Sequence, residues 1–288
     1  MIMSFKKTTF LSVLFLITYQ LSHAQMKRER VNPGGPVETT FWAQTIVGMS
    51  TLETLPKHNL NATIMHAFGL ATDRPIKEFF GLDIPPNVRL GVDYGLTDRW
   101  TLGLGRTTFQ KVYDVRSKYA LLRQTKSESM PLSLTLKGDL ALSTQKDNRP
   151  LGDDLSWLLG APLGKKFSDQ LSLQLEPMYA HFNTPVLVGG QQNDLWSLGV
   201  GGEYHLSQHF ALSFEYYPIL GKRNEGTKNA FSLAFNINTG GHVFQLFFAS
   251  SDWTTEQYIL AENNSNFWAG DFRFGFNINR MFWLAGKH

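Results

Sequence analysis

Leu132-Ser-Leu-Thr-Leu-Lys-Gly-Asp-Leu-Ala-Leu142 is the stretch whose reading decides the fold. Leu132, Leu134, Leu136, Leu140 and Leu142 hold one parity; Ser133, Thr135, Lys137, Asp139 and Ala141 hold the other. Successive side chains of an extended chain point to opposite faces, so this is a strand with one apolar face and one face that carries full charges. The alternation returns in Phe231-Ser-Leu-Ala-Phe-Asn-Ile237 and in Phe272-Arg-Phe-Gly-Phe-Asn-Ile278. Helical spacing is hard to find.

A turn repeats between such strands. Tyr94-Gly-Leu-Thr-Asp-Arg-Trp100 is echoed by Lys165-Lys-Phe-Ser-Asp-Gln-Leu171 and Tyr204-His-Leu-Ser-Gln-His-Phe210. Hydroxyl and acidic side chains there bond to nearby backbone and favour tight hairpins. Longer polar or Pro/Gly-bearing links alternate with these turns at 69–86, 110–115, 143–154, 183–194, 219–228 and 251–267. About twelve strands result: 58–67, 87–94, 100–109, 116–124, 130–142, 155–166, 171–182, 195–205, 210–218, 229–238, 242–250 and 268–279. Short and long links in alternation, with strands near ten residues, predict an all-β fold: a transmembrane antiparallel up-and-down β-barrel. An even strand number puts both termini in the periplasm. The rival is a soluble two-sheet sandwich with its apolar face turned inward.

Aromatic placement favours the membrane. Tyr94, Trp100, Phe167, Tyr204 and Phe210 flank the tight turns, while Trp157, Trp196, Trp268, Phe109, Phe182 and Tyr216 lie at the opposite strand ends. Two girdles are expected where amphipathic rings meet headgroups.

Composition bounds the rest. Of 288 residues 13% are aromatic and 18% charged, too greasy a chain for disorder. With no Cys, a disulfide scaffold, a thiolate metal site and a lipoprotein anchor are excluded. Lys6 and Lys7, the apolar run Thr9 to Leu21 and Ser22-His23-Ala24 form a signal peptide over residues 1–24. Setting its two lysines aside reduces the formal charge from +3 to +1, which gives no reason to expect a nucleic-acid partner. The expected partners are outer-membrane lipids, a small polar solute, and the periplasmic chaperones and barrel-assembly machinery that serve insertion. Residues 25–57 read as a periplasmic or lumen-tucked segment, a plug or a tether, ahead of a barrel over 58–288. Phe79, Phe80 and Leu82 in loop 69–86 either fold back into the mouth or contact a partner.

Polar parity assigns Arg89, Asp93, Lys118, Lys137, Asp139, Glu176, Glu203, Glu215, Asp271 and Arg273 to the lumen. Six acids against four bases make a mixed wall, suited either to ordering a permeating solute or to filling the barrel with ion pairs. On that reading Lys137→Leu leaves assembly nearly intact and a water-soluble thiol reagent reaches position 137. His205 and His209 bracket a turn and are expected to be solvated. No Gly-x-Ser-x-Gly or His-x-Ser-Asn run is present, so neither an enzyme nor a cofactor is expected.

Residues 68–124 also carry a recognisable run. It comprises Phe68-Gly69, Phe79-Phe-Gly-Leu-Asp83, Arg89-Leu-Gly-Val-Asp-Tyr-Gly-Leu-Thr-Asp98, Gly103-Leu-Gly-Arg106 and Lys118-Tyr-Ala-Leu-Leu-Arg-Gln124. The run resembles an uncharacterised outer-membrane β-barrel family of Bacteroidota, a domain of unknown function, and the likeness extends from about Thr40 to the C-terminus. His66-Ala67-Phe68-Gly69 stands where that family has His-Arg-Phe-Gly. The resemblance implies fold and location but no activity. Porin-like passage of small polar solutes is the leading expectation, against a non-transport barrel (an envelope scaffold or a lipid hydrolase).

Overall fold

A computed structural model describes residues 35–145, 149–184 and 192–284, and Pro36 onward forms one compact unit. The expected signal peptide and the basic stretch Met26 to Arg30 lie outside the described residues.

Twelve antiparallel strands follow one another around a ring. They are β1 (Asn59–Leu70), β2 (Asn87–Thr97), β3 (Trp100–Thr107), β4 (Tyr113–Leu122), β5 (Ser133–Leu142) and β6 (Leu155–Gly160, continuing as Leu163–Lys166). Then come β7 (Leu171–Phe182), β8 (Asp194–His205), β9 (Phe210–Tyr217, continuing as Ile219–Leu220), β10 (Ala230–Asn238), β11 (His242–Ala249) and β12 (Arg273–Trp283). Each pairs with the next, and β12 closes on β1 from Asn59↔Trp283 to Ala67↔Gly275, so no edge is left open. The two interrupted strands break at Pro162 and Pro218, where the ring nitrogen has no N–H to give to the ladder.

Two expectations shift at the last strand. It starts at Arg273, not at 268, because Phe267–Ala269 is a single 3-10 turn that ends on Gly270 at φ 94°. Asn266 Oδ1 accepts from Trp268 N, and Asp271 Oδ2 accepts from Asn266 N. Asp271 therefore fixes a loop and does not line the lumen.

The distribution of polarity is inverted relative to a soluble protein. Leu90, Leu104 and Leu246 on the outside are 58%, 63% and 53% exposed, whereas Arg89 and Glu176 on the inside are 2% and 0% exposed. Phe167, Trp100, Tyr204 and Phe210 are exposed at the tight-turn end, and Trp196 and Trp268 at the other. Phe182 and Phe109 depart from the expected girdle. Phe182 is buried inside against Tyr258, ring centroids 5.4 Å apart, and Phe109 packs on Trp253 at 5.7 Å.

Their partners belong to an interior core that strand parity alone does not suggest. A twelve-strand ring is too wide for its own side chains to fill. Two inserted pieces fill it. Residues 40–52 enter the lumen, and loop 251–267 folds inward as a short helix, α1 (Glu256–Glu262). Phe41, Ile46, Met49 and Leu52 from the first piece pack with Trp253, Tyr258, Ile259 and Leu260 from the second, and with Leu158, Met178 and Leu195 from the wall.

Candidate functional site

Chain direction reverses tightly inside the lumen. Ile46 N donates to Met49 O at 2.8 Å, Thr51 N donates to Gln44 O at 3.0 Å, and Thr45 bridges Ser50, so residues 44–51 form a hairpin. Two lumen-facing glycines of β8 make its seat: a Cβ on Gly199 would lie 2.6 Å from the Met49 methyl, and one on Gly201 would overlap Ile46. Among the described residues, voids bordering this hairpin include two of about 20 and 10 Å³, room for about one water each. The lumen is plugged.

The acids of β8 and β9 hold the hairpin by its amides. Glu215 accepts from Val47 N at 2.9 Å, Gly48 N at 3.0 Å, Met49 N at 2.9 Å and Ser232 Oγ at 3.1 Å. Its charge is thus met by backbone dipoles and not by a cation. Glu203 accepts from Trp42 N at 3.1 Å and Asn236 Nδ2 at 2.9 Å, and is 2.7 Å from His205 Nε2. His205 also stacks on Trp42 at 4.4 Å. It is part of the plug's anchorage and not the solvated turn residue that its position between strands suggested; His209, bonded to Asn238 O, is exposed.

Bases hold the other side. Lys118 Nζ donates to Thr51 O at 3.2 Å and Gln44 O at 3.4 Å. Lys137 Nζ meets Asp139 at 3.1 Å, Glu176 at 3.3 Å, Glu256 of α1, and Ser50 Oγ at 3.1 Å. One ammonium therefore ties wall, plug and loop helix together, and its side chain is wholly buried. The burial of Lys137 and its three carboxylate partners argue against both expectations, that Lys137→Leu leaves assembly nearly intact and that a water-soluble reagent reaches position 137. Parity placed the residue correctly, but nothing in strand periodicity shows what enters the lumen.

Arg89 makes a two-pronged pair with Asp114, Nε at 2.9 Å and Nη2 at 2.6 Å, and Arg116 shares that carboxylate at 3.1 Å. Asp93 is half-buried beside Asn61, whose amide donates to it at 3.4 Å, and borders the same void as Arg116 and Lys118. Arg273 stands apart at the long-loop end, donating to Ser250 O and Ser265 Oγ and 3.5 Å from Asp252. The lumen therefore gathers eight of the ten sequence candidates around the plug or its ion pairs, while Arg273 serves the mouth and Asp271 a turn.

Sequence reasoning passed over Asp114 and Arg116, although they share the parity of Lys118. It also passed over Gln174, Gln245 and Asn277. Gln174 accepts from Leu52 N at 2.9 Å and donates to Ser50 O at 2.7 Å; Gln245 donates to Ile46 O at 2.5 Å, and Asn277 to Val47 O at 2.9 Å. Parity could have found all five. Glu256, on a loop, gave no signal.

At the long-loop end a cleft of about 680 Å³ is lined by Lys111, Asp252, Glu262, Asn264 and Arg273 among others. Burial pushes the Glu262 carboxyl up to about 7, opposed by a hydrogen bond from Gln110 and reinforced by the charge of Asp252. In loop 71–86, Ile76, Phe79, Phe80 and Leu82 remain exposed instead of folding into the mouth.

A closed ring with an apolar exterior and charges inside is what a bilayer, not water, stabilises. The profile of a family described as a membrane bound beta barrel domain (DUF5777) matches residues 41–282. The chain belongs to this family. Its match spans both the barrel and the plug hairpin. Solved structures with a similar arrangement include the NanC porin (10% identity, 77% of this chain and 99% of that one, TM-score 0.49) and the KdgM porin (8%, 78% and 99%, TM-score 0.49). The COG4313 outer membrane channel from Pseudomonas putida F1 is similar at 15% identity over 80% of this chain and 98% of that one, TM-score 0.47. No curated protein sequence matches the chain. The membrane barrel's outer face accordingly meets lipid.

Proposed function

We propose that this membrane barrel is an outer-membrane pore for small polar solutes that rests closed, with hairpin 44–51 as its plug. The observation that carries the reading is the wall behind the plug. Lys118, Gln174, Glu203, Glu215, Gln245 and Asn277 all bond to backbone atoms of segment 40–52, so its withdrawal would uncover these polar groups beside the apolar patch of Leu158, Met178 and Leu195. Those groups can hydrate or meet a solute, which lowers the cost of opening.

In this reading both termini are periplasmic, the tight turns face the periplasm and the cleft at the long-loop end faces outward. Periplasmic chaperones and the barrel-assembly machinery deliver the chain, and no catalytic step is involved. Planar-bilayer recording tests the proposal. The full chain should show rare openings, and Gly201→Leu, which crowds Ile46 out of its seat, should show frequent discrete ones. A sealed envelope scaffold would conduct in neither form.

A further inference from the structure

The wall holds the plug hairpin as a binding site holds a peptide. Plug amides face acids: Val47, Gly48 and Met49 donate to Glu215, and Trp42 donates to Glu203. Plug carbonyls of Gln44 and Thr51 face a base, Lys118. Between them side-chain amides pair with single peptide groups. Gln174 both accepts from and donates to the stretch Ser50 to Leu52, Gln245 reads Ile46 O, and Asn277 reads Val47 O.

The signs are segregated around the ring. Arg89, Arg116, Lys118 and Lys137 come from β2, β4 and β5, where Asp114 and Asp139 are engaged by them and Asp93 borders the same void as Arg116 and Lys118, so the bases outnumber the acids by one there. Glu176, Glu203 and Glu215 come from β7, β8 and β9, strands that contain no Lys or Arg. A solute in the plug's place therefore meets negative charge on one side and positive charge on the other, with amide readers between.

We propose that the lumen selects short zwitterionic peptides, for which the hairpin is a built-in stand-in; this rests on the pore reading above. The terminal ammonium of a dipeptide takes the place of the plug amides at Glu215. Its carboxylate lies toward Lys118, whose plug carbonyl partners it replaces, and its internal peptide group pairs with the Gln174 or Gln245 amide. A neutral sugar offers hydroxyls but no charges for the two sides. A solute with one charge suits one side and is repelled by the other.

Swelling of proteoliposomes tests this with the plug displaced by Gly201→Leu. Gly48→Val, which crowds Ile259 from the plug side, supplies a second route should the first variant fail to fold. Dialanine should enter about tenfold faster than arabinose or the neutral N-acetyl-alaninamide, the gain expected of one charge-assisted contact. Gln174→Leu on the same background should bring the ratio of dialanine to arabinose rates down toward one. Equal rates for dialanine and arabinose would overturn the peptide inference while leaving the pore intact. No swelling with any solute, in variants that remain heat-modifiable on gels, would overturn the pore reading and this inference with it.

Discussion

Glu215 offers a direct handle on the plug. Its carboxylate accepts three plug amides within 3.0 Å, and all of these bonds are buried. A hydrogen bond to a charged acceptor contributes about 1 kcal/mol more than a neutral one, so three of them favour the docked hairpin by about 3 kcal/mol relative to a neutral isostere. Glu215→Gln removes that charge, and whichever way the amide turns, its NH2 faces at least one plug N–H. That clash offsets the relief of no longer burying a carboxylate. The undocked population should rise about a hundredfold. The chain has no cysteine, so one introduced thiol reports cleanly. Thr45 is buried and its hydroxyl has no hydrogen-bond partner among the described residues, so Thr45→Cys disturbs little. In liposomes a water-soluble thiol reagent should label Thr45→Cys about a hundredfold faster when Glu215→Gln is also present. Equal labelling rates in the two backgrounds would refute the claim that this carboxylate latches the hairpin.

Three further outcomes are expected. Lys137→Leu leaves Asp139, Glu176 and Glu256 without their shared cation and should cost about 3–5 kcal/mol, seen as loss of the heat-modifiable band. Leu104→Arg puts a cation on the most lipid-exposed part of β3 and should lower folding free energy by about 2–4 kcal/mol in urea titrations in lipid, whereas Leu104→Phe should not. Glu262, held near 7 by burial, binds its proton more tightly folded than unfolded, so its contribution to stability is present at low pH and declines as pH rises from the ordinary carboxylate range through about 7. Protection of α1 amides from hydrogen exchange should fall over that window in the native chain and stay flat in Glu262→Gln.

The strand list was legible because a membrane barrel writes its environment into parity. Leu136 and Lys137 are neighbours with opposite solvents, and every strand repeats that contrast. Boundaries failed where local chemistry overrode alternation, as at residues 267–271, where Asn266, Gly270 and Asp271 build a turn out of residues that continue the pattern. Phe182 misled for a related reason: an aromatic at a strand end reads as girdle whichever way it points, and only its contact with Tyr258 shows that it points inward.

What the sequence by itself determined was the barrel, its two faces and the set of charges turned inward. These depend on the two-residue period of an extended chain, which is local. Only the tertiary structure decided what those charges do. Glu215 is satisfied by amides 166 to 168 residues away, and Lys137 by a carboxylate on a loop helix far along the chain. Residues 40–52 have no period to betray them, since their partners are scattered over several wall strands, Glu215 taking three amides, Lys118 two carbonyls and Gln174, Gln245 and Asn277 the rest. They become a plug because a twelve-strand ring encloses more space than its own side chains can fill, and buried charges need partners.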